Sequence, residues 1–413
     1  MSGKNATGLG ASPRRRFEGS AALFLVAACG TYGAIIVSIL PSLVGAWITE
    51  NGLTEQAAGD IAAVNVLAAT IGLCLSLFLV SRWPLPRIAR FGLLLAIAGD
   101  GASILADGWL VLSACRGLEG LGIGLLVGAV TNWIGRHEHA ARGFGMYIML
   151  QFVFAAAYIA AVPYAAPLVG GASVYAVLLV FAFISLLLAP LLGLNGGGAP
   201  LPAALASSPE YSAAAETDHP VFLKLLAVLG FGFFNVAAVG LWSYMLRYGE
   251  LVGLSPEAAA QTLAFSALCG IPGTLLVILL GSRYGRAWPL VIALAVYTAP
   301  ALLFALSEVS ASVFIAGIVV QNVAWAIVAP YFQAVQAALD RTGRLAVWGM
   351  IMVSVGAGLG PALIGFSIDG NSYVAAFAVA IAFLAVAAFS GFAPALVADA
   401  HENPNSASAG VDA

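Results

Sequence analysis

The feature that most constrains this chain is its series of long, unbroken apolar runs, such as Phe91–Ala98 and Val174–Ala189. Of 413 residues, 62% are hydrophobic and 8% charged. A soluble domain carries about 25% charged residues, so this chain lacks the polar surface to fold in water. Lipid offers the backbone no hydrogen bonds, which leaves helices or a closed barrel. Barrel strands alternate apolar and polar positions, and these runs do not. The sequence therefore predicts an all-α integral membrane protein.

A spanning helix needs about 20 mainly apolar residues. On that ruler, spans are expected near 20–48, 55–80, 88–106, 109–132, 143–168 and 171–193. Six more follow near 220–247, 257–280, 287–306, 309–335, 346–367 and 372–395. Residues 195–219, rich in Gly, Pro, Ala and Ser with Glu210, Glu216 and Asp218, read as a flexible linker between bundles 20–194 and 220–396. Residues 1–19 read as a disordered N-terminus and 397–413 as a tail.

Lys and Arg orient the chain, because they concentrate on the cytoplasmic side. With twelve spans, every one of the 16 Lys and Arg residues except Arg116 and Arg247 falls on one side. Both termini are then cytoplasmic, in an inner membrane. Arg14, Arg15 and Arg16 precede an apolar stretch in which Val26-Ala27-Ala28-Cys29 resembles a lipoprotein cleavage box. Apolar character continues to Trp47, too far for a signal peptide, so a retained span is expected. Cys29, Cys74, Cys115 and Cys269 all fall in apolar runs and read as small buried hydrophobes, with neither disulfide nor metal site implied.

The two halves repeat at one offset. Gly52-Leu53-Thr54 matches Gly253-Leu254-Ser255, Gly72 matches Gly273, and Ser81-Arg82 matches Ser282-Arg283, each 201 residues on. A duplicated six-helix unit places a site between similar halves that can open to either side, the plan of many transporters.

Three motifs add to this. Gly281-Ser282-Arg283-Tyr284-Gly285-Arg286 follows span 8, with a degenerate copy, Ser81-Arg82-Trp83-Pro84, after span 2. Span 4 holds Arg116-Gly117-Leu118-Glu119-Gly120-Leu121-Gly122, and span 11 holds Gly356-Ala357-Gly358-Leu359-Gly360-Pro361. With these the chain, from about residue 20 to 395, resembles the major facilitator superfamily. The resemblance implies twelve spans in two pseudo-symmetric six-helix bundles and transport by alternating access. It further implies that Ser81, Arg82, Ser282, Arg283, Gly285 and Arg286 belong to a conformational latch, although both copies lack the family's aspartate. The family's arginine at the place of Arg116 is linked to proton coupling in many members. The Gly360-Pro361 pair resembles a drug-antiporter motif of span 5, but span 5 here lacks it, so drug antiport is not inferred. Spans 1, 4, 7 and 10 would line the central path.

Arg116 is the sharpest single feature. A charge at mid-membrane costs about 2.5–3.5 kcal/mol on insertion scales, so it should face the interior with a partner. Glu119 lies one turn on. Asp100 lies about as far before the turn near 107–108 as Arg116 lies after it, so antiparallel helices set them at one depth. Burial and a neighbouring guanidinium act oppositely on a carboxylate, which suits proton exchange. Glu119 is the first choice of carrier and Asp100 the second, with Arg116 as counter-ion; a static ion pair is the alternative. Gly120, Gly124 and Gly128 continue the face of Arg116 as a close-packing stripe.

Polar and aromatic residues within spans are candidate substrate contacts: Tyr32, Gln151, Tyr158, Asn235, Trp242, Gln321, Asn322 and Trp325. Trp47, Trp109, Trp133 and Trp288 read instead as interfacial anchors. The path carries amides and aromatics, favouring a small neutral or amphipathic organic solute, or a monoanion held by Arg116. The expected protein is a monomeric secondary transporter of such a solute, coupled to protons, with an uncoupled facilitator or efflux carrier as the alternative. A channel or membrane-embedded enzyme fits less well: no metal box, Ser/His/Asp set or phosphate loop is present, and His137, His139, His219 and His401 lie outside the spans. No cofactor, metal or nucleic acid is implied.

Overall fold

A computed structural model describes residues 13–135, 140–193, 219–281, 283–306, 308–340, 344–370 and 372–402. The expected linker, apart from His219, lies outside the described residues. So do Lys4, Arg136, His137, His139, Ser282 and Arg341. Among the described residues the chain is helical, with two isolated β-bridges. The first half holds α1 (Pro13–Ala34), α2 (Ile36–Thr49), α3 (Glu55–Leu79), α4 (Leu85–Ile104), α5 (Gly108–Gly135), α6 (Ala140–Val169) and α7 (Ser173–Leu188). The second holds α8 (Val221–Leu251), α9 (Pro256–Leu268), α10 (Gly270–Leu280), α11 (Ala287–Leu306), α12 (Ala311–Leu339), α13 (Arg344–Phe366) and α14 (Val374–Glu402).

Among the described residues, ten segments are long and apolar enough to cross a membrane. In this count α1 and α2 make one span broken at Ile35, and α9 and α10 one broken at Cys269. Segment 142–193 contains both α6 and α7. Helix α4, with Arg87, Arg90 and Asp100 along its 20 residues, completes the twelvefold pattern. The chain is thus an all-α, multi-pass membrane protein. Its ends differ from expectation: α1 begins at Pro13 and α14 runs to Glu402.

The repeat is geometric as well as sequential. Gly52 and Gly253 both take positive φ, 63° and 97°, which glycine adopts without strain. Thr54 and Ser255 both cap the next helix, accepting from the amides of Ala57 and Ala258 at 3.2 Å. At both Gly72 and Gly273 an added Cβ would strike a carbonyl, that of Leu121 or Val323.

Such backbone contacts weld the helices in pairs. Between α3 and α5, Cβ atoms at Gly120 and Gly124 would collide with the carbonyls of Asn65 and Ala69. Between α8 and α13, one at Gly360 would fall 2.5 Å from the Val236 oxygen, and one at Gly240 2.7 Å from the Gly360 oxygen. Small residues allow this approach where lipid gives no hydrophobic push.

The two halves meet mainly on the arginine-poor side. Trp242 on α8 donates its indole N–H to the Ser38 carbonyl on α2 at 2.8 Å. The Tyr244 hydroxyl lies 2.8 Å from the Glu55 carbonyl and 2.9 Å from that of Pro361. Gln261 reaches the Tyr164 hydroxyl at 3.2 Å. Helices α3 and α13 touch at Gly59 with Pro361 and again at Leu67 with Gly358. Toward the arginine-rich end the same faces are bare: Ile71 is 55% exposed, Phe78 72% and Val347 60%. The halves are therefore closed on one side and parted on the other.

Candidate functional site

Arg116, Asp100 and Glu119 come together, as their spacing predicts, inside the first half. Gly99 makes this possible: a Cβ there would lie 2.7 Å from the Cys115 oxygen, so α4 rests directly on α5. Arg116 Nη1 then meets Asp100 Oδ1 at 2.5 Å. Its Nη2 lies 3.0 Å from Glu119 Oε2, at ion-pair distance but not aligned as a hydrogen bond. The three side chains are 0–1% exposed.

Several neighbours complete the cluster. The Tyr32 hydroxyl donates to Asp100 Oδ2 at 2.6 Å. Asn65 Nδ2 donates to the Arg116 carbonyl at 2.6 Å and to Glu119 Oε2. The Tyr175 ring sits under the guanidinium, 5.8 Å from Cζ to centroid, and its hydroxyl accepts from Trp47 Nε1 at 2.7 Å. Glu119 Oε1 and Asn65 Oδ1 are buried without a hydrogen-bond partner. Asn65 and Tyr175 were not among the expected coupling residues. An amide or phenol looks alike in sequence whether it lines a cavity or holds an ion.

Other expectations change. Tyr32 was expected at the substrate, yet it is 2% exposed and bound to Asp100. Tyr158 is fully buried and donates to the Val174 carbonyl at 2.8 Å. Asn235 turns back to the Phe231 carbonyl of its own helix. Gln321 faces the Tyr297 carbonyl on α11, at 3.5 Å. Asn322 binds Ser266 on α9 at 3.2 Å, so the two neighbouring amides serve different helices rather than one cavity. Trp242 joins the halves. Gln151 and Trp325 stay half-buried. Arg116 is enclosed by its acids, so no surface of it is free to hold a monoanion here. Of the four tryptophans expected as anchors, Trp47 and Trp133 are buried, whereas Trp109 and Trp288 are exposed as anchors are. Among the cysteines only Cys29 is buried, and Cys74 is exposed.

The motif loops behave unequally. Ser81 bonds its own helix at Phe78, and Arg82 is exposed. In the second copy, Asp399 of α14 accepts from the Arg286 and Ala287 amides at 2.7 and 2.9 Å and meets Arg286 Nη1 at 3.3 Å. Gly285, with φ of 69°, gives Asp399 room. An aspartate distant in sequence thus clasps this motif. Gly360 and Pro361 lie in the α8 seam and at the meeting of the halves. Among the described residues no cluster of His, Cys, Asp and Glu could hold a metal.

This arrangement agrees with comparisons to known proteins. The nucleoside transporter NupG superposes with a TM-score of 0.70 at 12% identity, covering 90% of this chain and 99% of that one. A bacterial homolog of the human lysosomal transporter Spinster, inward-facing and occupied, gives 0.70 at 17% identity, with 93% and 97% covered. The D-xylose-proton symporter gives 0.66 at 16% identity, with 92% and 96% covered. At these identities the likeness shows the fold alone. No curated protein matches in sequence. The family model described as Major Facilitator Superfamily matches residues 22–345, and the chain, a transporter rather than an enzyme, belongs to that family.

Proposed function

We propose that this protein is a proton-coupled secondary transporter of a small neutral or amphipathic organic solute, with the proton carried at Glu119. The observation that carries this reading is a charge imbalance. One cation and two acids share a site of 0–1% exposure, and an uncompensated charge in such surroundings is costly. The cluster is electrically neutral only when it holds one additional proton. Asp100 has both oxygens engaged, by Arg116 and Tyr32. Glu119 has Oε1 without a partner, so it is the acid with room for a proton. Asp100 then acts as the fixed counter-charge of Arg116.

Loss or gain of that proton changes the charge beside Trp47 and Tyr175, which link Arg116 to the end of α2. Helix α2 carries Ser38, a contact between the halves. The arginine-rich side, where the halves part, is read as cytoplasmic from the Lys and Arg bias, which makes this an inward-facing state. Substrate contact is assigned to the half-buried Gln151 and Trp325, whose side chains are not taken up by a neighbouring helix as that of Asn322 is. The test is transport in proteoliposomes of a solute chosen by a ligand-stability screen, across a series of external pH values. Glu119→Gln should abolish the pH dependence while the variant stays folded; unchanged pH dependence would remove Glu119 from the mechanism.

A further inference from the structure

At the arginine-rich end of α4, outside the cluster, lies a groove of about 390 Å³ lined by Pro84, Pro86, Arg87, Arg90, Phe91 and Leu94. The positions 87, 90, 91 and 94 share one helical face. The opposite face, with Ile88, Gly92, Leu93 and Ala96, is buried against the bundle. Phe91 and Leu94 are 44% and 56% exposed, and Trp83 meets Phe91 edge-on at 6.1 Å between centroids. Arg87 and Arg90 are exposed, and among the described residues neither has an acidic partner. The groove therefore sets two exposed guanidinium groups, without an acidic partner among the described residues, beside an aromatic and aliphatic surface that continues along the helix.

The fold does not demand this. In the second half, the repeat places Trp288, Val291, Ile292 and Ala295 at the matching positions, with Trp288 and Ile292 61% and 59% exposed. The matching helix thus carries no arginine at these four positions, and the arginine just before it, Arg286, is tied to Asp399 instead. Orientation by positive charge asks for Lys or Arg near span ends, but not on one face of a groove that continues into apolar surface.

We propose that this groove binds one anionic phospholipid, its phosphate bridged by Arg87 and Arg90 and an acyl chain lying along Phe91 and Leu94. Guanidinium groups hold phosphate oxygens with paired, directional hydrogen bonds, and basic pockets between or beside spans are suited to acidic headgroups. A zwitterionic lipid carries an ammonium that opposes the same arginines.

The test is native mass spectrometry of the full-length protein titrated with phosphatidylglycerol or phosphatidylcholine. The wild type should retain one phosphatidylglycerol in preference to phosphatidylcholine. Arg87→Gln with Arg90→Gln should weaken that first binding step by about 30-fold, from the usual contribution of two basic residues near a charged headgroup. Arg82→Gln, an exposed arginine outside the groove, should leave it within about two-fold, a pairing worth little in water. Phe91→Ala should also weaken lipid retention, and excess inorganic phosphate should not displace the lipid. Equal retention of the two lipids, an unchanged double variant, or displacement by inorganic phosphate would each overturn the proposal. If the double variant does not insert, Arg87→Lys with Arg90→Lys serves: it keeps the charge but loses the paired hydrogen bonds, so its affinity should fall between the two.

Discussion

Replacing Tyr244 with Phe deletes one hydroxyl and leaves the ring, which is fully buried, in place. That hydroxyl has one proton to share between the Glu55 carbonyl of the first half, at 2.8 Å, and the Pro361 carbonyl of the second, at 2.9 Å. The bond to Glu55 exists only while the arginine-poor side is closed. A hydrogen bond of this kind contributes about 0.5–1.5 kcal/mol net, and those between spanning helices average about 0.6 with a maximum near 1.7. A working value of about 1 kcal/mol shifts the ratio of open to closed forms about five-fold toward opening. Spin labels on Asn51→Cys and Glu257→Cys, both at exposed positions of that side, would report it by pulsed EPR once the exposed Cys74 is replaced by Ser. Tyr248→Phe is the control, since Tyr248 lies in an aromatic cluster within the second half. An unchanged distance distribution in Tyr244→Phe, or an equal shift in the control, would refute the idea that this hydroxyl helps to seal the halves.

Gly124→Ala should destabilise the protein by about 1–3 kcal/mol, as overpacking does, because its Cβ would strike backbone of α3. Gly145→Ala, with nothing within 4 Å, should be neutral or slightly stabilising; thermal unfolding in detergent separates the two, and equal melting would contradict the seam. Asp399→Ala should cost about 1 kcal/mol as a lost helix cap, and should raise hydrogen exchange at Arg286 and Ala287 specifically. Protection unchanged at those two amides would mean the clasp contributes nothing.

The fold was legible in the sequence because lipid permits so little else. Span positions follow from apolar length, and the repeat from Gly52 and Thr54 against Gly253 and Ser255. The ionic trio was legible because a mid-span arginine must have acids at its own depth, and only Asp100 and Glu119 offer them nearby. What the sequence could not order was the neutral polar residues. Tyr32, Asn65 and Tyr175 point at charges, whereas Asn235 and Gln321 point at helix carbonyls; the residue types are interchangeable and only the rotation of each helix distinguishes them. Trp47 resembles an interfacial anchor until its partner Tyr175 is seen across the bundle. Asp399 was invisible for a related reason: it acts on a loop more than a hundred positions earlier, and the helix that carries it outlasts the apolar run used to bound the span.

The glycine seams have a mechanical consequence. Where α3 lies on α5 and α8 on α13, backbone touches backbone, so no side chain can change rotamer to take up slack. Each half is stiff along these lines. The halves themselves are pinned to each other by an indole, two phenol groups and small-residue contacts, each bond worth about one to two and a half times thermal energy. Compliance is thus concentrated at the boundary between two rigid blocks, and ordinary thermal motion suffices to release the pins one at a time without loosening either block.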